Sequence, residues 1–76
     1  MGEYMTKIEK YAMDAKMIVD GIAFIEYWNG YLVVDLDNIH YRAIIDRGMN
    51  IINTNMPDKT VEYLKHIIAI NRRFLV

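Results

Sequence analysis

Residues 22–37 read IAFIEYWNGYLVVDLD, and the folding of this stretch decides the architecture of the chain. Asn29-Gly30 offers the positive φ angles of a two-residue type I′ turn, and β-branched and aromatic residues run up to it from both sides. The stretch is therefore expected to form a hairpin. Pairing outward from that turn sets Trp28 opposite Tyr31, Tyr27 opposite Leu32, Glu26 opposite Val33 and Ile25 opposite Val34. Because side chains alternate along a strand, one face carries Ala23, Ile25, Tyr27, Leu32, Val34 and Leu36. The other carries Phe24, Glu26, Trp28, Tyr31, Val33 and Asp35. The first set is all but uniformly apolar and is expected to face the core. The second is mixed, with its aromatic residues at the turn end.

Before the hairpin, Tyr4, Met5, Ile8, Tyr11, Ala12, Ala15, Ile18 and Val19 recur at three- and four-residue spacing on an arc roughly 140° wide. That spacing predicts an amphipathic helix from Glu3 to Asp20, stopped by Gly21. Met13 and Met17, one turn apart, fall outside the arc. After the hairpin, Asp37-Asn38 suits a turn. Ile39 to Ile45 then alternates as a third strand with Ile39, Tyr41, Ala43 and Ile45 inward. A helical stripe through Tyr41, Ile44, Ile45, Gly48, Met49 and Ile52 is the rival reading, disfavoured by β-branched density and by Gly48. Asp46-Arg47-Gly48 would turn the chain into a short fourth strand near Met49 to Asn53.

Asn53 to Pro57 reads as a loop, and Asp58 or Thr60 can cap a long helix running to about Arg73. Along that helix Val61, Leu64, Ile68 and Leu75 form one stripe, and Tyr63, Ile67, Ile70 and Phe74 form a second beside it. Together they cover roughly half the circumference, more than the ~100° that packing on one sheet requires. The second stripe must meet the first helix or another molecule. The expected architecture is α+β: an N-terminal helix, a three- to four-stranded antiparallel meander and a long C-terminal helix packed on one sheet face.

Seventy-six residues make one small domain, which buries only about 60% of its unfolded surface. The formal net charge of -1 argues against a chain held to nucleic acid by bulk electrostatics. Its distribution is uneven: three basic and seven acidic residues precede Asn38, and six basic and three acidic residues follow from there. With no cysteine there is no disulfide framework, thiolate nucleophile or cysteine-based zinc site. Charges at Lys16, Asp20, Glu26 and Asp35 break every apolar run well short of the ~18 residues of a membrane span. No signal peptide is evident, so a cytoplasmic location without membrane contact is expected. Met1-Gly2 with Thr6 fits the N-myristoylation pattern only loosely. A composition rich in Ile, Asn, Lys, Tyr and Met suits AT-rich coding, as in many small phage and mobile-element proteins.

The residues that carry function are expected at surfaces rather than in a catalytic pocket. Trp28, flanked by Tyr27 and Tyr31, would anchor a protein partner, stack on unpaired bases or simply stiffen the hairpin. Met13 and Met17 are adaptable residues on a polar helix face, placed either to meet another surface or to sit beneath a neighbouring loop. Tyr63, Ile67, Ile70 and Phe74 offer an interface to a second chain. Lys65, Arg72 and Arg73, with Lys59, form a basic edge that would touch phosphates in a nucleic-acid-binding alternative, although Arg72 and Arg73 also complement the helix dipole. Asp35, Asp37 and His40 lack a second histidine at ligand spacing, so no metal site is expected. Glu62 and His66 lie one turn apart, as on many solvated helices.

The sequence holds no P-loop, dinucleotide fingerprint, GxSxG elbow or HExxH motif, and no serine at all, which closes nucleophilic Ser and Cys chemistry. No enzyme and no cofactor are expected. The reading that remains is a non-catalytic protein-protein interaction module: a small homodimeric regulator or inhibitor that binds itself and a larger protein. The alternative is a small nucleic-acid-binding regulator using the basic C-terminal half.

Overall fold

The computed structural model describes residues 7–75. The expected helix start at Glu3, with Tyr4 and Met5, and the myristoylation match over Met1 to Thr6 lie outside the described residues. Helix α1 (Lys7–Asp14) leads into β1 (Met17–Val19), β2 (Ile22–Tyr27), β3 (Gly30–Asp35), β4 (Arg42–Ile45) and β5 (Ile51–Thr54), and α2 (Asp58–Leu75) closes the fold. The strands form one antiparallel meander in the order β1-β2-β3-β4-β5. The α+β class is as expected, with five strands rather than three or four.

The additional strand comes from the end of the expected N-terminal helix, which stops at Asp14. Asp20 and Gly21 both have positive φ, 50° and 77°, and Val19 pairs with Ile22 across them. That is a two-residue Asp-Gly hairpin turn, and β-branched Ile18 and Val19 suit the strand entering it.

The central hairpin is also set differently from expectation. Tyr27 pairs with Gly30 and Glu26 with Tyr31, so the turn residues are Trp28 and Asn29, and Trp28 takes φ 51°. Gly30 is needed for another reason: a Cβ there would lie 1.9 Å from the Ile45 carbonyl oxygen. The glycine lets the start of β3 approach the end of β4, and Trp28 takes the left-handed conformation in its place.

This shift of two in pairing keeps the same residues together on each face, but the core lies on the opposite face from the expected one. Ile22, Phe24, Tyr31, Val33, Ala43 and Ile45 cluster with Met56, Leu64, Ile67, Ile68 and Leu75 beneath α2. Phe24 and Tyr31 meet edge to face, ring centroids 6.4 Å apart, a favoured aromatic geometry. The second face carries Ala23, Ile25, Tyr27, Leu32 and Val34. Ala23 and Val34 are fully buried there. Helix α1 contacts β2, and none of its residues belongs to the cluster under α2, which places it over this second face.

Strand wins over helix in the third segment, although it begins at Arg42. Residues 39–41 belong to a turn in which the Tyr41 N–H donates to the Asn38 carbonyl at 2.9 Å. Ala43 and Ile45 point into the core as expected, Tyr41 packs against it from the turn, and Ile39 is half-buried. The expected fourth strand is β5, displaced slightly toward Thr54, with a bulge opposite Ile44 and Ile45. At the start of α2, the Val61 N–H donates to the Pro57 carbonyl at 2.9 Å. Pro57 thus holds the capping position, while Asp58 sits inside the first turn, where its charge favours the helix dipole.

Candidate interaction sites

Close approach at Gly30 brings two turns together at one end of the sheet: residues 28–29 between β2 and β3, and residues 46–50 between β4 and β5. The second turn is closed by Asp46, whose Oδ1 accepts from the Asn50 N–H at 2.9 Å. That hydrogen bond to the ionised form holds the Asp46 carboxyl below its ordinary value, with burial opposing the shift. Between the turns lies a cleft of about 500 Å³ lined by Lys16, Glu26, Trp28, Asn29, Gly30, Tyr31, Arg47, Met49 and Leu75.

The floor of the cleft is part of the packed fold. Tyr31 is 5% exposed and donates its hydroxyl to the Leu75 carbonyl at 2.6 Å, tying the last turn of α2 to β3. Lys16 lies over the Tyr31 ring, 5.9 Å from its centroid, and pairs with Glu26 at 3.5 Å. Its ammonium holds its proton more tightly than an ordinary lysine, first because of the Tyr31 phenol and then because of Glu26. The rim is different in character. Trp28 is 89% exposed, and neither its indole N–H nor the Arg47 guanidinium has a partner among the described residues. Trp28 on the rim and Met49, which lines the cleft while packing against the core, are two of the three described non-glycine residues with positive φ.

A second candidate is the outward side of α2. Tyr63 donates to Asp20 Oδ2 at 2.5 Å, so this side of the helix is moored to the β1–β2 turn. The bond raises the Tyr63 pKa above the ordinary phenol value, with desolvation adding to the shift. One turn on, Ile67 is buried. Beyond it, Ile70 and Phe74 stand 61% and 56% exposed, and the Arg73 guanidinium lies 5.1 Å from the Phe74 ring centroid. The expected second stripe is thus divided between a core residue, a tethered tyrosine and two free apolar side chains.

The third is the part of the second sheet face beyond α1. Ile25, Leu32 and Ile44 form an unbroken cross-strand row ending at Asn53. A shallow groove of about 480 Å³ runs past Tyr27, Leu32, Ile44 and Asn55.

Several expected contact residues are not at the surface. Tyr31 and Ile67 are buried in the core, and Met17 is part of β1, packed against the core. Met13 remains exposed on α1 but has lost the neighbour with which it was expected to act, because β1 replaces that helical turn. Tyr27 is 44% exposed. Lys65, Arg72 and Arg73 are exposed on α2, with Lys65 paired to Glu62 at 3.5 Å. Arg47 was expected only as a turn residue and Met49 as the start of the fourth strand, which begins instead at Ile51. Nothing local marks them as neighbours of Trp28; only the sheet register does.

Among the described residues, no three His, Asp or Glu side chains come together as a metal site, and no helix is long and apolar enough to cross a membrane. A protein-family model, described as a family of unknown function (DUF7723), matches residues 5–75. No curated protein and no solved structure matches the chain significantly.

Proposed function

The chain belongs to that family of unknown function, and from its surface we propose that it is a non-catalytic interaction module, a homodimeric small regulator that pairs through the outer side of α2 and binds a larger protein. The observation that carries this reading is the exposure of Ile70 and Phe74, 61% and 56%, on the line begun by Tyr63. Isolated apolar residues on a surface are ordinary, but an aligned set on a rigid helix favours burial by another molecule.

Charge favours a second copy as the occupant. When two α2 helices pack antiparallel across a two-fold axis, Tyr63 of each falls opposite Phe74 of the other and Ile70 opposite the turn holding Ile67. That register brings Glu62 of one copy beside Arg73 of the other, twice over, a pairing that would replace the contacts each makes within its own copy, to Lys65 and to the Phe74 ring. Both residues lie on the same exposed flank of the stripe at 100° per residue. Sedimentation velocity across a wide concentration range tests the reading: wild type should approach twice the monomer mass, and Ile70→Glu should remain a monomer. A wild type that stays monomeric throughout removes the dimer.

The nucleic-acid alternative has less support. Lys65 is already paired with Glu62, and Arg73 covers Phe74, which leaves Arg72 as the free cation of the three expected residues.

A further inference from the structure

We propose that the cleft between the β2–β3 and β4–β5 turns is a peptide-binding site, which takes a short segment of a partner protein carrying a carboxylate next to an aromatic or branched apolar side chain. The inference rests on the reading of the chain as a protein-interaction module and names what its partner must present.

The cleft joins the two kinds of group that dominate protein-protein recognition, a tryptophan and an arginine, and neither is used by the fold itself. Trp28 is 89% exposed, so the indole does nothing to hold the core, yet its backbone is held at φ 51°. Met49 beside it is held at φ 66°. Left-handed conformations at bulky side chains persist where the surrounding structure enforces them, and they gather at ligand clamps. Here the enforcement is visible: Gly30 is committed to the close approach to Ile45, and Asp46 with Asn50 fixes the facing turn.

Each group then selects a part of the ligand. The unpaired Arg47 guanidinium calls for a carboxylate, which it can hold with two parallel hydrogen bonds. The Trp28 face and the Met49 side chain give an adjacent apolar or aromatic side chain a place to lie flat. Lys16 is occupied by Glu26 at 3.5 Å. That Glu26 carboxylate on the cleft wall, together with the single free cation, opposes a phosphate backbone, which needs several cations in line. A peptide carrying one acidic group matches the balance of charge.

The chain contains one tryptophan, so its emission reports the cleft directly. A random dodecapeptide phage library would be selected on the immobilised full-length protein, with counter-selection on the Trp28→Ala/Arg47→Glu variant. Enriched peptides should carry Asp or Glu within two positions of an aromatic or branched apolar residue. Resynthesised, they should shift Trp28 emission in the wild type and lose at least about tenfold in affinity to Arg47→Glu, the size of one charge-assisted pair. Enrichment of sequences lacking an acidic residue, peptides that bind Arg47→Glu as well as wild type, or no emission shift with any selected peptide would each overturn the proposal. A dT20 oligonucleotide that shifts the emission with a steep salt dependence would replace the peptide with single-stranded nucleic acid. The sedimentation result for Ile70→Glu is independent of all these outcomes, so the dimer and the cleft can fail separately.

Discussion

Replacing Trp28 with glycine should make the protein more stable than replacing it with alanine, although glycine ordinarily destabilises. The left-handed backbone at φ 51° costs a residue with a Cβ about 1–2 kcal/mol. Alanine retains that cost and glycine escapes it. Glycine adds freedom to the unfolded chain, worth about 0.4–1 kcal/mol in the other direction. At the middle of both ranges the difference leaves Trp28→Gly ahead of Trp28→Ala by about 0.8 kcal/mol. For a domain of this size that corresponds to a melting temperature higher by about 3–6 °C, at 4–8 °C per kcal/mol. Loss of the indole itself should matter little, because 89% exposure leaves almost no buried area to forfeit, and Trp28→Ala should stay within about 0.5 kcal/mol of wild type. Urea unfolding followed by far-ultraviolet circular dichroism measures all three proteins without relying on tryptophan emission. Should Trp28→Gly prove less stable than Trp28→Ala, the turn does not hold residue 28 in the left-handed region. Should both lose more than about 2 kcal/mol, the indole packs into the fold and the argument for a free anchor collapses.

Other substitutions probe the framework around the sites. Tyr31→Phe removes the 2.6 Å bond to the Leu75 carbonyl and leaves a buried acceptor unpaired, at a cost of about 1–3 kcal/mol; urea unfolding gives the size, and hydrogen exchange should show faster opening of the last turn of α2. Gly30→Ala places a methyl 1.9 Å from the Ile45 carbonyl oxygen, so the β3–β4 pairing must shift, with a loss of about 3 kcal/mol or more. Tyr63→Phe should change the alkaline limb of the stability profile. The Tyr63 pKa is raised in the folded state by its bond to Asp20, so the contribution is complete below the unfolded value near 10 and is lost as pH rises through the folded value. Wild type should therefore fall toward Tyr63→Phe in stability at high pH, and parallel profiles for the two proteins would show that the bond is absent in solution.

Much of this architecture is legible in the sequence because its signals are local. The Asn29-Gly30 region does mark a hairpin, the alternation of β2 and β3 sorts residues correctly onto two faces, and the spacing from Asp58 onward gives α2. Which face is the core is not a local property. Ala23, Ile25, Leu32 and Val34 form a cleaner apolar set than Phe24, Glu26, Tyr31 and Val33, yet the latter lies under α2. Glu26 is tolerated at its edge by pairing with Lys16, and the former lies on the face next to α1. Asp20-Gly21 carried a hairpin signal as strong as Asn29-Gly30, hidden because Ile18 and Val19 also continued the helical spacing of the first segment. The cleft was illegible for a different reason. Trp28 stands out in any reading, but Arg47 and Met49 reach it only because Gly30 allows β3 and β4 to close together, a consequence of register between segments fifteen residues apart (30 and 45).

The pairing of two α2 helices has a direct geometric test, because the chain contains no cysteine and thiols can be placed at will. In the Glu62→Cys/Arg73→Cys variant the two thiols of one copy are eleven positions apart on α2, about 16 Å along the helix, beyond the reach of a shorter bifunctional crosslinker. Across the two-fold axis the same positions are neighbours. A covalent dimer of this variant is expected on a denaturing gel, abolished by adding Ile70→Glu; a product that remains monomeric at every protein concentration would contradict the pairing.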